Sequence, residues 1–126
     1  MHQRGRARFP GRAPIEAYGN GGFRFAGMSH RGSILCLPSG IEAWDVGSIA
    51  DLTVANLARV FDERAAIELL LIGTGAQPAR LSPEIASKLR TGGIGVDTMT
   101  TGAACRTYNI LLAEGRSVAA ALIAVE

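Results

Sequence analysis

The sequence predicts an α/β fold: a single three-layer domain in which one mixed sheet lies between helices. Three observations point there. Short apolar runs recur through the back two-thirds of the chain, at 66–72, 94–99 and 118–125. Between them lie stretches with apolar residues at helical spacing, about 82–91 and 102–113, and a further one at about 52–62 precedes the first run. Each link is long enough for the crossover that joins parallel neighbours, so the three runs read as parallel strands with helices on their faces. An N-terminal antiparallel meander completes the expected architecture.

In chain order, residues 1–13 carry Arg4, Arg6, Arg8 and Arg12 without an acid, and read as a disordered basic tail ahead of a 14–126 domain. Ile15, Ala17, Phe23 and Phe25 alternate with Glu16, Tyr18, Arg24 and Ala26 around Asn20-Gly21, the dipeptide that suits a type I′ hairpin. A second turn is expected over Ser29-His30-Arg31-Gly32, leading into an apolar strand, Ser33 to Leu37, which closes the meander. Gly40 to Val46 reads as a further strand holding Trp44, a core or interface residue. Ser48 or Asp51 then caps the helix at 52–62. Ser82-Pro83-Glu84 opens the next helix with a cap, a proline at the first helical position and an acid in the first turn; Gly92 and Gly93 stop it. The richest stretch, Gly93 to Val125, supplies strand, polar turn, helix, turn and strand.

With 126 residues and 48% hydrophobic content, the chain has enough apolar material for one core. Net charge is +2, yet nine basic residues face eleven acids once the four tail arginines are set aside. No basic face for nucleic acid is expected on the folded part. Cys36 and Cys105 stand far apart without a CxxC or Cys/His cluster, which fits a reducing compartment and argues against a disulfide scaffold or a structural zinc site. The longest apolar runs are too short to span a bilayer. Gly73-Thr74-Gly75 lacks the third glycine of a dinucleotide fingerprint, and the single lysine, Lys88, follows no phosphate-binding loop. No metal site and no cofactor are expected.

Right-handed crossovers bring the C-terminal ends of the three parallel strands to one edge, where α/β sheets place their ligands. The candidate ligand-binding residues there are Gly73, Thr74, Gly75, Thr100, Thr101, Gly102, Ala103 and Arg106: hydroxyls, accessible backbone N–H groups at a helix N-terminus, and a guanidinium suited to a carboxylate or phosphate. The plain structural alternative is that Thr101 caps the helix, the glycines permit turns, and Arg106 pairs with Asp97 or Glu114. Cys105, in the first helical turn beside Arg106, is a weak candidate nucleophile. A base for it would have to come from His30, since His2 lies in the tail.

Several segments together carry a family resemblance: Ala17 to Phe25 (AYGNGGFRF), His30 to Ser33, Leu71 to Gly75 (LIGTG), and above all Thr101 to Asn109 (TGAACRTYN). The chain resembles a small α/β domain of unknown biochemical function that also occurs in the mitochondrial assembly factor for respiratory complex I and in an adipogenesis-associated protein. The resemblance covers about residues 14–126. It implies a compact three-layer fold, no established catalytic residue, and a non-enzymatic role in joining subunits of complex I. Protein partners, respiratory-chain subunits among them, are therefore expected, without specific nucleic acid and without a membrane-spanning segment. The mitochondrial members carry a targeting extension, whereas the tail here is short and broken by Pro10 and Pro14. The expectation is a bacterial, soluble, cytoplasmic protein, peripheral to the inner membrane.

Overall fold

A computed structural model describes residues 8–126. In order, the elements are β1 (Arg8–Pro10), β2 (Ile15–Gly19), β3 (Gly22–Phe25), β4 (Met28–Arg31), β5 (Ile34–Leu37), β6 (Gly40–Ala43), α1 (Ala58–Asp62), β7 (Leu69–Gly73), α2 (Pro83–Thr91), β8 (Gly95–Met99), α3 (Thr101–Ala113) and β9 (Val118–Leu122). Six strands form one mixed sheet, β1-β6-β5-β9-β7-β8, and β2-β3-β4 form a small antiparallel sheet. β7 runs parallel to both β8 and β9, while β5 joins β9 antiparallel.

Alternation along the central strands divides the core in two. Leu35, Leu37, Leu70, Ile72, Ala119 and Ala121 face α1 and α2, packing with Trp44, Val60, Ile85 and Leu89. Ile34, Cys36, Leu71, Val118, Ala120 and Leu122 face the other way, toward α3 and the small sheet, where Phe23, Phe25, Ala104, Cys105 and Tyr108 meet them. Buried on both faces, the middle strands need no polar alternation, which is why they read as continuous apolar runs. The three consecutive alanines of β9 keep its two faces shallow.

Four expectations need correction. The tail ends earlier than residue 13: Arg8–Pro10 forms edge strand β1, paired with β6 and held by Arg8 Nε to Glu42 Oε1 at 3.2 Å. Residues 1–7 lie outside the described residues. The small sheet is built differently too. Met28–Arg31 is a strand where a turn was expected, the reversal falls at Ala26-Gly27 (φ +50° and +73°), and Ile34–Leu37 enters the main sheet. The Asn20-Gly21 turn has both φ values positive, +52° and +80°, as type I′ requires.

The expected 52–62 helix is broken. Ile49–Asp51 and Ala55–Leu57 form 3-10 turns, and regular helix covers Ala58–Asp62 alone. Thr53 and Asn56 cap one another there, and the Trp44 indole donates to the Asn56 carbonyl at 2.8 Å. That carbonyl is thus occupied by a side chain from outside the segment. Arg59 anchors α1 by reaching Glu42 at 3.3 Å and Glu63 at 3.0 Å, tying it to β6. The parallel strands are shifted or shorter than expected: 66–72 becomes Leu69–Gly73 after a 3-10 turn at Arg64–Ala66, and 118–125 ends at Leu122. α2 follows its sequence signals, with Ser82 Oγ accepting from Ile85 N at 3.3 Å.

Candidate functional site

The ends of β7 and β8 and the start of α3 meet at one rim, as the crossover argument requires. Thr74 N–H donates to the Met99 carbonyl at 2.8 Å, and Thr101 N–H donates to the Gly75 carbonyl at 2.9 Å. Gly73 lets the β7 end press on the helix: a methyl there would sit 3.0 Å from both Cα and Oγ1 of Thr101. Gly75 takes a φ of +105°, which turns the chain away beyond the strand.

The hydroxyls are spent inward. Thr101 is fully buried; its Oγ1 donates to the Ile123 carbonyl at 2.7 Å and accepts from Gly75 N–H at 2.9 Å. It therefore stitches β7, α3 and the chain after β9 together. The cap of α3 is Thr100, not Thr101, with Oγ1 accepting from Ala103 N at 3.4 Å. Thr74 Oγ1 lies 2.8 Å from the Gln77 carbonyl and 3.1 Å from that of Met99, and donates there. Thr74 and Thr101 thus serve the rim's architecture.

Gly102 is covered by the Tyr18 ring, whose hydroxyl would lie 2.3 Å from a methyl placed on it. Tyr18 itself is 44% exposed. Beside it opens a cleft of about 660 Å³, lined by Tyr18, Ser48, Thr74, Gly75, Thr100, Gly102, Arg106 and the chain from Ile123 to Glu126. Arg106 is exposed at its mouth and makes no ion pair among the described residues, neither with Asp97 nor with Glu114. Glu114 reaches Arg116 instead, at 4.0 Å. Of the eight rim residues, Thr74, Gly75, Thr100, Gly102 and Arg106 line this cleft, whereas Gly73, Thr101 and Ala103 do not; Ala103 N–H is used in the cap.

Cys105 points into the core. It is 4% exposed, and burial pushes its thiol up to about 12, with Arg106 pulling weakly the other way. A nucleophilic thiol needs the opposite shift. Cys36 is buried on the same side of the sheet, in the cluster that holds Tyr108, and desolvation raises both groups. Both cysteines are free. His30 lies in β4 beside Phe25, ring centroids 6.5 Å apart; burial lowers its pKa against a hydrogen bond to the Ser33 backbone. His30 does not line the cleft that holds Arg106. Among the described residues no group of three or more His, Cys, Asp or Glu side chains could hold a metal ion.

One residue with a structural task at this site has no role assigned from sequence. Asn109 grips the backbone of Ile15 at two points: its Oδ1 accepts from Ile15 N–H at 2.8 Å and its Nδ2 donates to the Ile15 carbonyl at 2.9 Å. The amide thereby mimics a neighbouring strand and fastens the small sheet to α3, next to a register irregularity in β2. The available signal was the four-residue spacing Thr101, Cys105, Asn109, which sets a polar amide on a buried helix face.

Proteins of Mus musculus and Danio rerio named NADH dehydrogenase (ubiquinone) 1 alpha subcomplex assembly factor 3 are 36% and 39% identical over 91% and 86% of this chain. The chain spans 62% and 63% of their respective lengths. A crystal structure described as an outer membrane protein from Bartonella henselae matches with 58% identity and a TM-score of 0.90, covering 94% of this chain and 99% of that one. A Rhodopseudomonas palustris protein solved by NMR matches with 47% identity and a TM-score of 0.84, covering 100% and 93%. No helix of the described residues is long and apolar enough to cross a membrane. The family model "Protein of unknown function (DUF498/DUF598)" matches residues 15–123, and the chain belongs to that family.

Proposed function

We propose that this protein is a non-catalytic assembly factor for a respiratory NADH dehydrogenase, acting in the bacterial cytoplasm at the inner-membrane surface and holding peripheral subunits as they join. The observation that carries the reading is the identity of 36–39% across nearly the whole domain to relatives bearing the assembly-factor name. The rim supports it. Its buried hydroxyls are committed to backbone partners, and its thiol is pushed away from the ionised form that chemistry would need. The test is affinity purification of the tagged chain from its native host with quantitative mass spectrometry. Enrichment of NADH dehydrogenase subunits is the expected result; their absence from crosslinked and uncrosslinked samples contradicts it.

A second reading is a small-anion site at the rim. It is favoured by one observation: the Arg106 guanidinium, without an ion pair among the described residues, at the mouth of a cleft of about 660 Å³. Thermal-shift measurements with phosphate, citrate and nucleotides test it, since a ligand at a hundredfold excess over its Kd stabilises by about 2.7 kcal/mol. An Arg106→Ala variant should lose that shift; no shift in either protein removes the reading.

A further inference from the structure

Among the described residues the main sheet has two edge strands, and they differ. At one edge, β1 ends in Pro10 and carries Arg8, features that discourage another strand from pairing. At the other stands β8, five residues long, with neither proline nor lysine. Among the described residues β8 pairs with β7 alone. The bonds at its two ends, Gly95 N–H to the Glu68 carbonyl at 3.0 Å and Thr74 N–H to the Met99 carbonyl at 2.8 Å, fix which groups turn inward. In a parallel ladder, Gly95, Asp97 and Met99 then bond to β7, whereas the N–H and C=O of Val96 and Thr98 face outward. These four backbone groups form a template for one more strand.

Asp97 sits between them, exposed and without an ion pair among the described residues. It decides the occupant. A second copy of β8, pairing antiparallel so as to use all four outward groups, would set Asp97 directly opposite the Asp97 of that copy. Like charges facing each other across a strand pair are destabilising. Val96 packs against the α2 side of the core, so the residues flanking the partner's central position would continue a half-buried apolar surface. We infer that the free edge of β8 is a strand-docking site for an extended segment of a partner protein that places lysine or arginine opposite Asp97, flanked by β-branched residues. This rests on the partner-binding role proposed above and specifies the kind of segment it takes.

The experiment is a titration of the isotope-labelled full chain with the peptide Ser-Thr-Val-Lys-Val-Thr-Ser, observed by amide chemical shift and hydrogen exchange. Its sequence is symmetric, so the lysine can lie opposite Asp97 in either strand direction. The expected result is shift changes and slowed exchange at Val96 and Thr98. Replacing the lysine by glutamate should weaken binding about three- to tenfold, the scale of a cross-strand charge pair and its reversal. An Asp97→Lys chain should prefer the glutamate peptide; if that variant does not fold, Asp97→Asn should bind the two peptides equally. No perturbation at Val96 and Thr98 with millimolar peptide overturns the inference, as does equal binding of both peptides to the native chain. Concentration-dependent shifts at the same amides without peptide would make the occupant a second copy, and equally overturn it. Failure here leaves the assembly role standing, because that role is judged by which subunits co-purify.

Discussion

Asn109 offers a sharp test of how the small sheet is held against α3. Replacing it by alanine removes both hydrogen bonds to Ile15, at 2.8 and 2.9 Å, and leaves a backbone N–H and C=O unpaired beside a residue that is 5% exposed. Each such bond contributes about 0.5–1.5 kcal/mol net, and an orphaned buried group costs about 1–3 kcal/mol. Asn109 is itself partly exposed, so water can reach some of the gap, and the expected loss is about 2–3 kcal/mol. That corresponds to about a 30- to 140-fold shift toward the unfolded state. Chemical denaturation measures it, and hydrogen exchange at Ile15 and Ala17 shows whether the loss is local. Asn109→Asp separates the two bonds. The carboxylate still accepts from Ile15 N–H but opposes the Ile15 carbonyl, so its pKa rises on folding. Stability of that variant should be restored below the ordinary carboxylate pKa of about 3.9, where the protonated acid can donate, and lost as pH climbs through the raised value. An Asn109→Ala midpoint within about 0.5 kcal/mol of the native chain, the usual scale of a surface change, with unaltered exchange at Ile15, would refute the account.

Thr101→Val removes a donor and an acceptor from a fully buried position, and should cost about 2–4 kcal/mol in urea denaturation while leaving Gly75 N–H and the Ile123 carbonyl without partners. Gly73→Ala brings a methyl to 3.0 Å from the Thr101 backbone and 3.1 Å from Leu122, and should destabilise by about 1–3 kcal/mol by the same assay, more than a surface alanine would. Cys105 should resist thiol reagents in the folded chain at pH 8 and react only in denaturant, which a timed labelling experiment reads directly. Because its folded pKa lies above the unfolded 9.0, at about 12, its contribution to stability is complete below pH 9 and disappears as pH rises toward 12.

What was legible in the sequence was local. The Ser82-Pro83-Glu84 start of α2 and the positive φ values at Asn20-Gly21 depend on neighbours within a few residues, and both are as expected. The common rim followed from the handedness of crossovers, which needs only the order of elements. The misses are tertiary. Arg8 is held in a strand by Glu42, which is 34 positions away. The 52–62 helix is interrupted where Trp44 takes the Asn56 carbonyl. β4 reads Met-Ser-His-Arg, poor in strand formers, and Ala26 adopts a left-handed turn conformation against its preference. At the site, the residue types were visible but their direction was not: Thr101 and Cys105 face inward, and the two-point grip of Asn109 joins residues 94 positions apart.

The assembly role is tested most directly by quantifying mature NADH dehydrogenase on native gels from a host strain lacking this gene, then complemented with the native chain or with Cys105→Ala. The account predicts that mature complex falls and subassemblies accumulate in the deletion, and that both chains restore it. A deletion strain with normal levels of mature complex, or a folded Cys105→Ala chain that restores nothing, would contradict it.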